Sequence, residues 1–251
     1  MDYRKKTVVI TGASSGIGAS CAKLFYEAGA NIALLDITEN RLFAEKNRCL
    51  AITCDVSVES AVRDAMQAIA EHFGSIDFLI NNAGIQRYGS VTETSLADWD
   101  LVMNVNLKSI FLCAKYAIPL MQAVNQGVVI NIASVQAFVT QHTVAAYTTA
   151  KSAILGLTRS IAVDYAPSIR CVAVCPGTID TPMLRNAIAL SEHPENVLEE
   201  CEKMHLSKRI GTPEEVAELV MYLCDDKSSF ITGQAIRIDG GLGITILGSK
   251  Q

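Results

Sequence analysis

Two side chains near the middle of the chain have the types and the spacing that proton transfer needs. Tyr147 and Lys151 are four residues apart, so on a helix they lie on one face. An ammonium close to a phenol lowers the pKa of the phenol from about 10 and lets it exchange a proton near neutral pH. Ser134, which follows an apolar run, could hold the oxygen of a reacting molecule. Taken singly, the three also fit an interface aromatic, a solvated helix charge and a turn residue.

A glycine-rich turn follows the first apolar run of the chain. Its sequence is T-G-A-S-S-G-I-G, at residues 11–18. Glycines allow a tight turn, and they let a pyrophosphate approach the unpaired N–H groups at the start of the next helix. Close packing of strand and helix is the alternative use of such a turn. Its position as the first strand-to-helix turn favours a dinucleotide site.

A carboxylate at the end of the second apolar run indicates which dinucleotide binds. Asp36 can accept hydrogen bonds from both hydroxyls of an adenosine ribose, and its charge repels a 2′-phosphate. No Arg or Lys occurs at residues 13–15 or at residue 37, where a phosphate partner is expected. The sequence therefore predicts NAD rather than NADP.

Short apolar runs alternate with helical patterns along the whole chain, and these elements must position the residues above. The sequence predicts strands at residues 7–11, 31–36, 51–55, 76–81, 127–132, 170–175 and 234–239. It predicts helices near residues 17–28, 57–73, 96–123, 145–165 and 213–224, with only 38–47 left for a short second one. Near-continuous apolar strands separated by amphipathic helices are typical of a parallel sheet buried on both faces.

We therefore expect one α/β domain over residues 1–251, a Rossmann-type, doubly wound, parallel seven-stranded sheet. Ligands of such a sheet bind at the carboxyl ends of its strands. Residues 178–210 are polar and have weak helical periodicity. They are expected to form a mobile lid over the substrate.

Composition excludes several classes of protein. Half of the 251 residues are hydrophobic and 19% are charged, which excludes a disordered or collagen-like chain. The net charge is −5 without a block of basic residues, so neither nucleic acid nor an anionic membrane is an expected partner. The eight cysteines contain no C-x-x-C pair and the four histidines show no ligand spacing, so no metal site is expected. Most cysteines lie in apolar segments, which predicts free thiols and a cytoplasmic protein.

Neither a signal peptide nor a membrane span is expected. The first apolar run ends in the glycine turn rather than in a cleavage site. The uncharged stretch 116–150 is long enough to span a bilayer, but a proline, a glycine and several amide side chains divide it. It is predicted to supply separate pieces of a buried core.

Taken together, the motifs resemble the short-chain dehydrogenase/reductase family over essentially the whole chain. In order, the matching landmarks are T-G-A-S-S-G-I-G (11–18), Asp36, Asp55-Val56, N-N-A-G (81–84), Asn106, Ser134, Tyr147 with Lys151, P-G-T-I-D-T (176–181) and D-G-G (239–241). The short second crossover is the one departure from the family pattern.

The resemblance implies a role for each matching residue. Tyr147 is the expected general acid/base, Lys151 its pKa modulator and a ligand of the nicotinamide ribose, and Ser134 the holder of the substrate oxygen. Asn106 is the expected anchor of a water relay to Lys151, or else a helix-bulge residue. Besides Tyr147 and Lys151, the expected cofactor contacts are Gly12, Ser14, Ser15, Gly16, Ile17, Gly18, Asp36, Asp55, Val56, Asn82, Ala83, Gly84, Pro176, Gly177, Ile179 and Thr181.

Residues close to these landmarks are the candidates for recognising the substrate, together with Ser134 and Tyr147. They are Gln86, Arg87, Gln136 and His142. The amides of Gln86 and Gln136 can both donate and accept, which suits vicinal hydroxyls. Arg87 could pair with a carboxylate, or it could be an ordinary exposed loop residue.

Stretches such as N-I-A-S-V-Q-A resemble the sugar dehydrogenase subgroup of the family, similar to glucose 1-dehydrogenases. The resemblance implies oxidation of an aldose or a related polyhydroxy compound. A hydroxy-acid (3-hydroxybutyrate-like) dehydrogenase or a 3-oxoacyl reductase is the runner-up, and a non-catalytic nucleotide-binding protein is a remote alternative. The family also implies a homotetramer built on the helices near 100–123 and 150–165.

Overall fold

The protein is a three-layer α/β structure around a seven-stranded parallel sheet, as expected from the sequence. A computed structural model describes residues 2–39, 47–191 and 193–244. The strands are β1 (Thr7–Thr11), β2 (Asn31–Asp36), β3 (Cys49–Thr53), β4 (Phe78–Asn81), β5 (Gly127–Ile132), β6 (Ile169–Pro176) and β7 (Ala235–Ile238). Their order across the sheet is β3-β2-β1-β4-β5-β6-β7, and every neighbouring pair is parallel.

Eight α-helices of the described residues cover the two faces of the sheet. They are α1 (Gly16–Glu27), α2 (Glu59–Phe73), α3 (Leu96–Met103), α4 (Ser109–Ala123), α5 (Ala145–Tyr165), α6 (Pro182–Ala189), α7 (Pro194–Met204) and α8 (Pro213–Cys224). Helices α1 and α8 pack on one face, and α2, α4 and α5 on the other. Along β1, Val8 and Ile10 belong to the first cluster and Val9 to the second, because successive strand side chains point to opposite faces. Both faces of the sheet are covered by helices, which agrees with strands that are apolar along their length.

Four strands differ from their predicted ranges, β6 and β7 by one residue at each end and β3 and β4 by two residues. Strand β3 ends at Thr53 instead of continuing to Asp55, because the Asp55 carboxylate accepts hydrogen bonds from the backbone N–H and the hydroxyl of Ser57 (2.9 and 2.7 Å) and turns the chain. Strand β4 begins at Phe78 rather than at residue 76, and the carboxylate of the preceding Asp77 pairs with the Lys6 Nζ (2.8 Å) and accepts from the backbone N–H of Thr7 (2.9 Å). In the second crossover, residues 40–46 lie outside the described part of the chain.

The predicted helix 96–123 consists of α3 and α4 joined by a π-helical turn, Asn104–Lys108. This continuous stretch has the length and the hydropathy of a membrane span, and half of its most apolar window is buried inside the protein. The uncharged residues 116–150 are divided among the end of α4, β5, a loop and the start of α5. The parts in α4, β5 and α5 supply buried core, as predicted, whereas residues 138–143 of the loop are exposed.

One reversal of the strand order places the candidate functional site. From β1 the chain continues through β2 and β3 on one side, and then returns to β4 on the other side. The carboxyl ends of β1 and β4 therefore flank the crevice at which doubly wound sheets bind their ligands.

Candidate active site

One cavity of about 880 Å³ opens along the carboxyl ends of the strands. Most of the predicted site residues line it: Gly12, Ser15, Gly16, Ile17, Asp36, Asp55, Val56, Asn82, Ala83, Gly84, Gln86, Arg87, Ser134, Gln136, Tyr147, Lys151, Pro176, Gly177, Ile179 and Thr181. Ser14, Gly18 and Asn106 lie behind this lining. The remaining predicted residue, His142, is exposed and does not line the cavity.

The centre of the cavity holds the side chains with acid–base chemistry. Helix α5 carries Tyr147 and Lys151 one turn apart, and the lysine Nζ lies 5.6 Å from the centre of the tyrosine ring. Tyr147, Lys151 and Ser134 are 8, 4 and 8% exposed, respectively. Ser134 follows β5 and begins a short 3₁₀ turn in which its Oγ accepts from the backbone N–H of Gln136 (3.1 Å). The three predicted side chains therefore lie close to one another and are almost completely buried.

Burial sets the pKa values of this group. Desolvation raises the pKa of Tyr147 to about 12, and a hydrogen bond with Ser134 opposes that rise. Desolvation also lowers the pKa of Lys151 to about 8. In this structure desolvation of the phenol dominates, and the Lys151 Nζ donates to the carbonyl of Ile132 (2.8 Å), so the expected effect of the lysine on the phenol stays a prediction.

Asn106 is completely buried in the π-helical turn and binds a neighbouring loop. Its Oδ1 accepts from the backbone N–H of Ile85 (2.7 Å), and its Nδ2 donates to the carbonyl of Ile85 (2.8 Å). The turn has the extra residue of a π-bulge, a feature frequent at functional sites. Asn106 thereby fixes the backbone that carries Gln86.

The end of the cavity at the glycine turn has the close packing that this turn predicts. A Cβ on Gly18 would lie 2.2 Å from the carbonyl oxygen of Gly12, so α1 meets the end of β1 without room for a side chain. Asn82 donates from Nδ2 to the carbonyls of Thr11 and Gly12 (3.0 and 2.9 Å). At the start of α1, Ser15 makes no side-chain capping bond, so the first N–H groups have no partner within the helix.

Asp36 is held at the edge of this end of the cavity. Its Oδ2 accepts from the backbone N–H of Ser14 (2.9 Å), and its Oδ1 accepts from the N–H and the hydroxyl of Thr38 (both 3.2 Å). The Oγ of Ser14 is buried and has no partner among the described residues. A fixed carboxylate beside an orphan hydroxyl and a glycine-lined turn fits the ribose and pyrophosphate of a dinucleotide.

The predicted substrate residues fall into different environments. Gln86 lines the cavity, and its Nε2 is buried without a partner among the described residues. Arg87 is half-exposed and lies 3.6 Å from the carboxylate of Asp98. Gln136 accepts from the hydroxyl of Thr148 (3.4 Å). An unsatisfied buried donor is costly, so Gln86 is the residue of this set best prepared to bind a polar ligand.

The sequence analysis missed an apolar wall on the substrate side. Helices α6 and α7 have no buried residues, and their apolar side chains line the cavity instead: Met183, Leu184, Ala187, Ile188, Val197 and Met204. Tyr88 faces the same space from the β4–α3 loop. The apolar residues of 183–188 recur one helical turn apart, and that pattern was the available signal.

Comparison with known proteins identifies the class. A family profile described as enoyl-(acyl carrier protein) reductase matches residues 12–243. The 2-(R)-hydroxypropyl-CoM dehydrogenase of Xanthobacter autotrophicus is 39% identical, with 94% of this chain and 97% of that protein covered. The aldohexose dehydrogenase of Thermoplasma acidophilum, solved in ligand-free form, is 40% identical with a TM-score of 0.94, over 100% of this chain and 98% of that one. Levodione reductase is 33% identical with a TM-score of 0.92, covering 97% and 100%.

The chain belongs to the short-chain dehydrogenase/reductase family. Within that family its relatives include sugar dehydrogenases. It is an oxidoreductase of a family that uses nicotinamide cofactors and binds small-molecule substrates.

Proposed function

We propose that the protein transfers a hydride between NAD and a secondary alcohol or the corresponding carbonyl, most naturally an aldose or a related polyhydroxy compound. The observation that carries this proposal is the buried group of Tyr147, Lys151 and Ser134, which shares one cavity with the glycine turn. An assembled proton-transfer group disfavours the alternative of a non-catalytic nucleotide-binding protein.

The cofactor would occupy the half of the cavity between the glycine turn and Tyr147, and when bound it supplies or accepts the hydride. The start of α1 binds its pyrophosphate, Asp36 the adenosine ribose, and Lys151 the nicotinamide ribose. The loop after β6, with Pro176, Gly177, Ile179 and Thr181, closes the nicotinamide end. The fixed carboxylate of Asp36 supports NAD over NADP, because a 2′-phosphate would lie against its charge.

The proton is handled by residues of this chain. During oxidation, Ser134 holds the substrate oxygen and the Tyr147 Oη takes the hydroxyl proton as the hydride leaves. Lys151, one helical turn below, stabilises the phenolate form of Tyr147 that accepts this proton. Because the side chains are buried, their electrostatic interactions are stronger than in water. Asn106 supports the group as the proposed anchor of a water relay to Lys151.

The substrate assignment depends on Gln86 and Gln136. The unpartnered Nε2 of Gln86 is a donor that a substrate hydroxyl would satisfy. Arg87 already lies near Asp98, which supports a neutral substrate over a hydroxy acid. The likeness to an aldohexose dehydrogenase points in the same direction.

A second candidate is a secondary alcohol or ketone with a hydrocarbon part. It is favoured by the apolar side chains of α6 and α7, which a fully hydroxylated sugar would leave without apolar contact. The likeness to levodione reductase agrees with this alternative.

The test is a screen of aldohexoses, pentoses, polyols, hydroxy acids and cyclic alcohols, each incubated with NAD and with NADP. The formation of NADH or NADPH is measured. We expect the largest kcat/KM for an aldose with NAD. Turnover confined to cyclic alcohols would favour the second candidate. Turnover confined to hydroxy acids would favour a hydroxy-acid dehydrogenase. Failure of every alcohol and of the matching ketones with NADH would contradict the proposed reaction.

Three further expectations belong to this proposal. The chain is proposed to assemble as a homotetramer through α4 and α5, to act in the cytoplasm, and to use residues 178–210 as the substrate lid. Light scattering with and without α4 or α5 surface substitutions tests the assembly.

A further inference from the structure

His205 has an unusual position in the segment that contains α6 and α7, here called the α6–α7 segment (residues 178–210). Among the described residues of 181–210 it is the one buried residue, at 2% exposure. The helices themselves bury no residue, since their apolar side chains face the open cavity. The position of this wall therefore depends on a small number of contacts.

The imidazole of His205 joins the end of α7 to the loop after β6. Its Nδ1 lies 2.7 Å from the carbonyl oxygen of Cys201, and its Nε2 lies 3.2 Å from the backbone N of Thr178. A carbonyl only accepts and a backbone N–H only donates. The partners therefore require a neutral ring with its proton on Nδ1.

Packing holds the ring in this position. A Cβ on Gly177 would lie 2.9 Å from the His205 Nε2, and one on Gly240 would lie 3.3 Å from its Cδ2. The ring fits between two glycines, one of them next to Thr178. Ring and loop are thus in direct contact at a point where no larger residue fits.

The loop that His205 contacts belongs to the cavity. Gly177 and Ile179 flank Thr178, and both line it. On the other side, Cys201 and Met204 of α7 line the substrate end. His205, the one buried residue among the described residues of 181–210, therefore links the proposed nicotinamide loop with the proposed substrate wall.

We propose that His205 is a positioning residue that fixes α7 and the 176–181 loop relative to each other through its neutral, Nδ1-protonated ring. It does not touch the reacting atoms. It acts by holding Cys201 and Thr178, and so the wall and the loop between which substrate and cofactor meet. This role does not depend on which alcohol the protein oxidises.

The test is hydrogen–deuterium exchange of the full chain without added ligand, for wild type and three variants. His205→Leu removes both hydrogen bonds, His205→Asn can keep the donor to Cys201, and His205→Gln can keep the acceptor for Thr178. We expect at least about tenfold faster exchange in α7 and 176–181 for His205→Leu, with α8 unchanged, because one lost hydrogen bond corresponds to roughly that factor. His205→Gln should restore slow exchange in 176–181, which a purely space-filling role would not do.

A second measurement uses only the wild type, so it does not depend on whether a variant folds. Imidazole ¹⁵N NMR of the wild type should show the Nδ1–H tautomer of His205 at neutral pH. Wild-type exchange in the Leu variant, an equal acceleration in α8, or an Nε2-protonated ring would each overturn the proposal.

Discussion

Burial shifts the pKa values of the proposed acid–base residues and also lowers the stability of the folded protein. Lys151 and Tyr147 are almost completely buried. Desolvation shifts the pKa of each in the direction that favours its neutral form. A charge kept in such a place destabilises the folded protein unless it is paired. The described hydrogen bond of Lys151, to the carbonyl of Ile132, leaves most of its donor capacity available for a bound ligand.

Removing Lys151 should change how stability depends on pH. The folded-state pKa of about 8 lies below the unfolded value of 10.5, so the cost of burying the ammonium is fully present below pH 8 and is relieved as the pH rises. Relative to Lys151→Met, the wild type should gain about 2 kcal/mol of unfolding free energy between about pH 7 and about pH 10. Urea unfolding of both proteins at the two pH values measures this gain. An unchanged difference would show that Lys151 is not desolvated.

Replacing Asp36 should alter the choice of cofactor. Asp36→Ala should lower kcat/KM for NAD by about ten- to a hundredfold and leave NADP equal or improved, since a charged acceptor and a repulsive charge are both removed. Asp164→Ala, which removes an exposed carboxylate of α5, is the control for net charge. Steady-state kinetics with each cofactor measure the ratio. A fall of the same size for both cofactors would contradict the proposed NAD selectivity.

Alanine variants of Gln86 and Arg87 should differ in how strongly they lower kcat/KM for a given substrate. With an aldose, Gln86→Ala should lower kcat/KM by about ten- to a hundredfold, the effect of one or two lost hydrogen bonds. Arg87→Ala should change it by less than about threefold, because that side chain lies near Asp98. Kinetics of both variants against an aldose and a hydroxy acid provide the comparison. A larger effect of Arg87→Ala would indicate an acidic substrate.

At the scale of elements, the packing of α1 against β1 is the tightest constraint on the dinucleotide site. Gly18→Ala places a methyl group 2.2 Å from the carbonyl oxygen of Gly12, so the helix or the turn has to move. We expect a loss of at least about 2 kcal/mol of stability and weaker NADH binding. The matched control is Gly156→Ala in α5, where the nearest atom is 4.0 Å away and a gain of up to about 1 kcal/mol is expected. Thermal unfolding and NADH fluorescence titration measure both, and equal effects would contradict the packing argument.

Elements were predictable where the pattern is local. The ranges of β1, β2, β5, α5 and α8 follow directly from apolar periodicity and its glycine, proline and threonine boundaries. The π-helical turn inside 96–123 was anticipated only as an alternative for Asn106, because the turn depends on Asn106 reaching Ile85 in another loop. The end of β3 depends on an Asp55–Ser57 turn that competes with continuation of the strand. Such boundaries are set by single side-chain hydrogen bonds that hydrophobic periodicity does not register.

At the scale of the whole molecule, sequence motifs predicted the lining of the proposed cofactor half of the cavity far better than that of the proposed substrate half. The cofactor half consists of strand ends and the first turn, whose positions follow from the order of the sheet. The substrate half depends on α6 and α7, which fold back from the sheet and whose direction only the three-dimensional structure gives. This explains why the apolar wall was missed, whereas His142 lies outside the cavity because it is in the exposed loop before α5.

The central claim is that this cavity oxidises an alcohol by passing its proton to Tyr147. The most direct measurement is turnover of Tyr147→Phe with the substrate found in the screen, together with NADH affinity by fluorescence titration. The variant removes the oxygen that accepts the proton and little binding surface, so kcat should fall by about a hundred- to ten-thousandfold while the NADH dissociation constant stays within about twofold. A kcat within tenfold of wild type, with NADH bound equally well, would contradict the account.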